Sequence, residues 1–169
     1  MLIYHPAFDA YHCVFRMLVI SGVVPTLELA KLRILDYYMC FPAEVALIQL
    51  PQEHTEIRKV ARTIKNEYRG PVSAHRTFRD MEPIQHAAAR LLAASGVFDS
   101  RQLELGIVSR TDKVLPDDLL QAQTLEPTNA GPAAEVSNYV LHKLSSLPLS
   151  GPSGLKQRTG LMEHRYDVA

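Results

Sequence analysis

Cysteine is scarce in this chain of 169 residues: Cys13 and Cys40 are the only two. Their spacing fits no zinc motif, and two thiols make no disulfide framework. Net charge is missing too, with 18 basic side chains against 18 acidic ones. A balanced chain has no overall pull towards nucleic acid or anionic lipid, so such binding needs a local patch. Near-zero charge also lowers colloidal stability, which suits a subunit that lives inside a complex. Long apolar runs are absent as well. The longest candidate, Val14 to Val24, is too short for a bilayer and is interrupted at once by Arg16. The first residues have no basic start and no small-residue cleavage site, so no signal peptide is expected. A cytoplasmic protein with reduced thiols and no membrane partner is the expectation.

Motifs of catalysis are missing. There is no Gly-x-Ser-x-Gly, no Walker loop and no Gly-x-Gly-x-x-Gly. The stretch "GPSG" at 151–154 lacks a preceding strand and a following Gly-Lys-Ser/Thr. Asp117 and Asp118 sit where a helix starts, a place that favours carboxylates through the helix dipole. No enzyme and no cofactor is expected.

What is present is enough for a packed core: 47% of residues are apolar and 21% charged. The periodicity is mostly helical. One helix is expected from Pro6 to Ser21, with Phe8, Tyr11, Phe15, Leu18 and Val19 inside. A second is expected to open at Pro25 with Thr26 as N-cap, and to run to about Cys40. A short one follows over Ala43–Leu50. A longer one is expected from Gln52 to Tyr68, with Ile57, Val60, Ala61, Ile64 and Tyr68 on its apolar face. Another runs from about Arg76 or Glu82 to Ser95, burying Ile84, Ala87, Ala88, Leu91 and Leu92, with Gly96 ending it. Asp99 caps a short turn. Gly106-Ile107-Val108 and Lys113-Val114-Leu115 read as the arms of a hairpin. A last good helix covers about Ala133 to Leu144. The fold class expected is mainly α, a helical domain with a winged-helix-like element around 76–115. Residues 1–147 form the domain, and 148–169 read as a linker and flexible C-terminal tail. That tail could order on a partner through Leu161, Met162 and Tyr166.

Three clusters are candidates for chemistry or contact. "HPAFDAYHC" places His5, Asp9, His12 and Cys13 in nine residues. On a helix the two imidazoles and Asp9 share a face that could hold zinc, but Arg16 lies in the middle of it. The polar stripe of an amphipathic helix explains the pattern better, and no metal is expected. The second cluster is a basic stripe, Arg58, Arg62, Lys65 and Arg69, spaced along one helix face. It reads as a solvated face or as a site for an acidic partner, with phosphate backbone behind. The third is "LRILDYYMCFP", where Tyr37, Tyr38 and Phe41 exceed what one helix face needs for burial. They are candidates for an interface or for the core.

"YHPAFDAYHCVFRML", "LRILDYYMCFP" and "MEPIQHAAARLLAASGVF" together resemble the small middle components of bacterial ABC-three-component systems. The small accessory subunit of Lamassu-type defence systems is comparable. The likeness spans Tyr4 to Asp118. It implies a non-catalytic adaptor between an ATPase of the SMC/Rad50 type and an effector, often a nuclease, in anti-phage or anti-plasmid defence. The family offers no catalytic residues to carry over. The positions expected to face partners come from the residues themselves: Tyr37, Tyr38, Phe41, Arg58, Arg62, Lys65 and Arg69. The alternative is a winged-helix DNA-binding regulator that uses the basic stripe and the region of Arg110 and Lys113.

Overall fold

The structure is a computed structural model, described here over residues 5–64, 70–120 and 131–163. It is mainly helical, with one small antiparallel sheet. In chain order the elements are α1 (Ala10–Val23), β1 (Thr26–Glu28), α2 (Leu29–Cys40), α3 (Glu56–Arg62), α4 (Ala74–Ala94), α5 (Ser100–Glu104), β2 (Ile107–Ser109), α6 (Pro132–His142) and α7 (Leu155–Thr159). The buried apolar side chains of all these helices except α5 join in a single core.

The first helix starts later than its pattern suggests. Pro6–Phe8 is a separate 3-10 turn, and Asp9 is extended between it and α1. The Asp9 carboxylate accepts from the His12 amide at 3.0 Å, an N-cap that satisfies one orphan donor. The break resets the helical wheel. Cys13, Arg16, Met17 and Ile20 now face inward, while Phe8 and Tyr11 are exposed. A wheel run unbroken from His5 puts those two rings inside, which the structure corrects.

Pro25-Thr26 does not open a helix. Thr26, Leu27 and Glu28 form β1 and pair with Ser109, Val108 and Ile107. The strand expected at 106–108 is therefore present, but its partner is distant and the local return over Lys113–Leu115 is not a strand. The expected hairpin is replaced by a clamp between the α1–α2 connection and the segment after α5. The same clamp caps α2, whose first amide, on Leu29, donates to the Gly106 carbonyl at 2.8 Å.

α3 is shorter than its periodicity. It stops at Arg62, where the Thr63 and Ile64 amides donate to residues three back, at 3.0 and 3.1 Å. The Thr63 hydroxyl takes the Val60 carbonyl as well, at 2.7 Å. These tighter bonds close the helix end. The proposed continuation to Tyr68 falls on 65–69, outside the described residues. Pro42–Leu47 is a 3-10 turn, in place of a helix to Leu50.

α4 is the longest helix, capped by Ser73. Its buried face is Phe78, Met81, Gln85, Ala88, Ala89 and Leu92, whereas Ala87 and Leu91 are exposed. The expected face is rotated because a buried position is filled by a glutamine. Gly96 ends α4 with φ +75°, and the Val97 amide bonds back to Leu92. Asp99 caps α5 through the Gln102 amide at 2.9 Å. Both features follow the sequence.

The segment after Leu147 packs on the domain through Met162. Leu155 and Leu161 are buried, and Leu149 and Met162 lie against the core. The Arg158 carbonyl accepts from the Gln49 amide at 3.1 Å, and its guanidinium donates to the Gln49 carbonyl at 2.6 Å. The linker-like composition of 148–154 instead serves a tight turn. A Cβ on Gly154 would meet the Ser150 backbone at 2.5 Å. Tyr166 lies outside the described residues. No helix among the described residues is long and apolar enough to cross a membrane.

Candidate partner interface

The polar side chains of α1, α2 and α4 meet in the interior. Asp36, fully buried, accepts from Arg16 Nε at 2.6 Å, Arg16 Nη2 at 3.4 Å and Gln85 Nε2 at 2.8 Å. Cys13 Sγ lies 3.9 Å from the same carboxylate. Gln85 Nε2 also donates to the Arg33 carbonyl at 3.2 Å, and Gln85 Oε1 accepts from Arg33 Nε at 2.9 Å. Arg33 Nη2 reaches Glu82 at 3.1 Å, and its guanidinium stacks 4.9 Å above Phe78. Two cations thus meet two carboxylates, which is how such charges survive burial. Burial opposes the charge on Arg16, but Asp36 more than offsets it and holds the guanidinium above its ordinary range. Burial, then Asp36, push the Cys13 thiol up, so it is protonated and unreactive.

This network clamps three helices and leaves Asp36 without access to solvent. A carboxylate so enclosed is a poor base or ligand. The opening cluster is spent in the same way. His5 Nδ1 accepts from the Ala7 amide at 3.1 Å, Asp9 caps α1, and Cys13 points to Asp36. Among the described residues no group of three or more His, Cys, Asp or Glu could hold a metal ion.

The expected partner-facing residues separate. Tyr37, Tyr38 and Phe41 are all buried; the Tyr37 ring meets Tyr38 edge-on and Phe41 at a tilt, each with centroids 5.1 Å apart. They take the core alternative. α2 packs against α1, α4, α6 and the 3-10 turn at Pro42–Leu47, so the aromatic excess is absorbed inside. The Tyr37 hydroxyl is buried without a hydrogen bond of normal geometry among the described residues, with the Glu44 carboxylate near it; burial, then Glu44, raise the phenol. Arg58 is half-buried and donates to the Ile48 carbonyl. Arg62 is exposed. Lys65 and Arg69 lie outside the described residues. Of the cations of the DNA-binding alternative, Arg110 is half-buried and reaches the Ser21 hydroxyl at 3.5 Å, while Lys113 is exposed and donates to the Ser95 carbonyl.

What the sequence did not single out is a groove beside the outer end of this network: His86, one of its lining residues, lies 3.7 Å from Glu82. It lies between the C-terminal half of α4, α5 and the start of α2, and holds about 580 Å³. Its apolar lining is Leu29, Ala89, Ala93 and Leu103, with Arg90 and Glu104 at the rims. Leu91 on α4 and Leu105 after α5 are exposed, at 57% and 76% of full exposure, but neither lines it. The misassigned face of α4 hid it.

No curated protein and no solved structure matches the chain. A family model does, over residues 2–167: ABC-three component (ABC-3C) system Middle Component 5. The match extends the three segments of resemblance to nearly the whole length. Membership implies an accessory role in a defence system and the existence of partner subunits. The chain belongs to the Middle Component 5 family of ABC-three-component systems.

Proposed function

We propose that this chain is a non-catalytic adaptor that bridges an SMC/Rad50-like ATPase and a nuclease-type effector in anti-phage or anti-plasmid defence. The observation that carries the reading is the family match over residues 2–167. The internal network supports it, since Asp36, Arg16, Arg33 and Gln85 are consumed in holding helices together. The adaptor works as a rigid spacer, presenting surfaces to both neighbours. Arg62 is exposed on α3 and stands as one contact, with Lys65 and Arg69 beyond it in sequence.

Size-exclusion chromatography with light scattering tests the reading, on the chain alone and co-expressed with the two other components of its system. A stable assembly containing the ATPase and the effector is the expected result. A chain that elutes alone in the presence of both would overturn it. Duplex DNA bound by the isolated chain, with affinity falling steeply as salt rises, would favour the regulator instead.

A further inference from the structure

We infer that the outer edge of β1 takes up an extended segment of a partner component as a further strand. The inference rests on the adaptor reading and names a surface that it uses. In an antiparallel pair, every second residue turns its N–H and C=O towards the neighbouring strand, and the residues between turn theirs away. The Arg110 amide donates to the Pro25 carbonyl and the Leu29 amide to the Gly106 carbonyl, both at 2.8 Å. With Leu27 in register with Val108, residues 25, 27 and 29 therefore spend their backbone groups on the β2 side, and Thr26 and Glu28 point theirs outward. The two sides of the sheet differ in what meets such outward groups. Beyond β2, the Asp99 amide donates to the Ser109 carbonyl at 2.9 Å, the Thr111 amide to the Val97 carbonyl at 3.0 Å, and Phe98 bridges Arg110. Beyond β1, no other strand, loop or side chain among the described residues bonds Thr26 or Glu28, and both are exposed.

That edge offers two donors and one acceptor in a line. The amides of Thr26 and Glu28 lie about 6.6 Å apart, two residues of rise, with the Thr26 carbonyl between them. The Glu28 carbonyl is left out, because Glu28 is the N-cap of α2 and its carbonyl opens that helix. Alternating donors and acceptors are matched by an extended backbone, which adds as a strand. A docked helix has spent its backbone groups internally, and a phosphate accepts without donating. A second copy of β1 is a poor match as well, since two such edges bring four donors to two acceptors. The Thr26 and Glu28 side chains are exposed and Leu27 is buried, so an incoming strand extends the sheet without entering the core. An edge of three residues holds one short segment and does not template long strands.

The test uses the full chain co-expressed with its two tagged partner components, comparing wild type with Glu28→Pro and Glu28→Ala. Glu28 already has φ −65°, the angle of proline, and follows an extended residue. Glu28→Pro therefore deletes the outward N–H while the ladder to β2 stays, and a thermal melt verifies the fold. Glu28→Ala keeps that N–H and deletes the carboxylate. Glu28→Pro is expected to lower retention on a partner about three- to tenfold, the range for one hydrogen bond, and Glu28→Ala to leave it unchanged. Wild-type retention by a folded Glu28→Pro would overturn the edge while leaving the adaptor reading intact. An equal loss in Glu28→Ala would do the same, by making the contact a side-chain one. Failure of wild type to assemble would overturn the adaptor reading, and the edge with it. Hydrogen exchange on wild type, read residue by residue, does not depend on a variant folding. The Thr26 and Glu28 amides should exchange fast in the isolated chain and about tenfold or more slower in the assembly. Unchanged exchange in an assembled complex would overturn the proposal. Protection already present in the isolated chain at high concentration would overturn it too, by giving the edge to a second copy.

Discussion

Asp36 and Tyr37 are neighbours in sequence, both buried, and opposite in what their polar atoms do. The Asp36 carboxylate receives two arginine donors and a glutamine amide. The Tyr37 hydroxyl has no hydrogen bond of normal geometry among the described residues, only the Glu44 carboxylate nearby. Removing one side of a buried charge network leaves the remainder uncompensated, so Asp36→Ala should lose about 3–5 kcal/mol of unfolding free energy. Tyr37→Phe removes an atom that has already lost its water, so it should fall within about 1 kcal/mol of wild type. Urea unfolding of the two variants checks both outcomes. Equal losses would mean that the carboxylate is not the anchor described here. This difference was illegible in the sequence. "LDYY" shows one charged residue in an apolar run, but its partners Arg16 and Gln85 come from two other helices. Each of those sits in its own sequence as an apparently polar, outward residue.

At the scale of elements, the caps at Asp99 and Gly96 were legible and the faces were not. Both act through bonds to residues at most four positions away, so their signals are local, whereas Thr26, read as a cap, is drawn into the strand by a distant partner. The apolar face of α4 depends on what covers it. Gln85 is buried because Arg33 and Asp36 are there to bond it, and counting hydrophobic residues assigns that position to solvent. The same blindness left Tyr37, Tyr38 and Phe41 open between interface and core, and sent Leu91 to the core. The turn before α7 is a third case. "PLSGPSG" has the composition of a linker, yet Gly154 is fixed by the approach of the Ser150 and Leu149 backbone. Backbone cannot swing aside as a long side chain can. Gly154→Ala should therefore cost about 1–3 kcal/mol, in the range of an overpacked site. It should also loosen α7, read as faster amide exchange at Gln49, whose amide bonds Arg158. Unchanged exchange there would mean that the turn relaxes without moving the helix.

For the whole molecule, the buried arginines make the fold a brace between α1, α2 and α4. Breaking any one link exposes charges on the other two. Such a body is suited to transmitting position between partners, because its helices cannot shift singly without stranding a charge. The C-terminal segment extends the brace. Leu155 and Leu161 join the buried core, so residues 155–161 of the part read as a tail contribute to the body itself. Composition marks a change at 148 but cannot say on which surface the following leucines land.

The sheet has a consequence for the order of events in folding. Leu27 and Val108 pair across about eighty residues, a loop whose closure entropy must be met before the pairing returns anything. The clamp also supplies the acceptor for the first amide of α2. α2 can thus be wound early, but its N-terminus stays frayed until the ribosome has released Ser109. Leu27→Ala and Val108→Ala should then speed unfolding and leave the folding rate nearly unchanged, giving φ-values near zero in stopped-flow chevrons. Values near one at both positions would place this three-residue ladder at the start of folding, and the helices would be assembling around it.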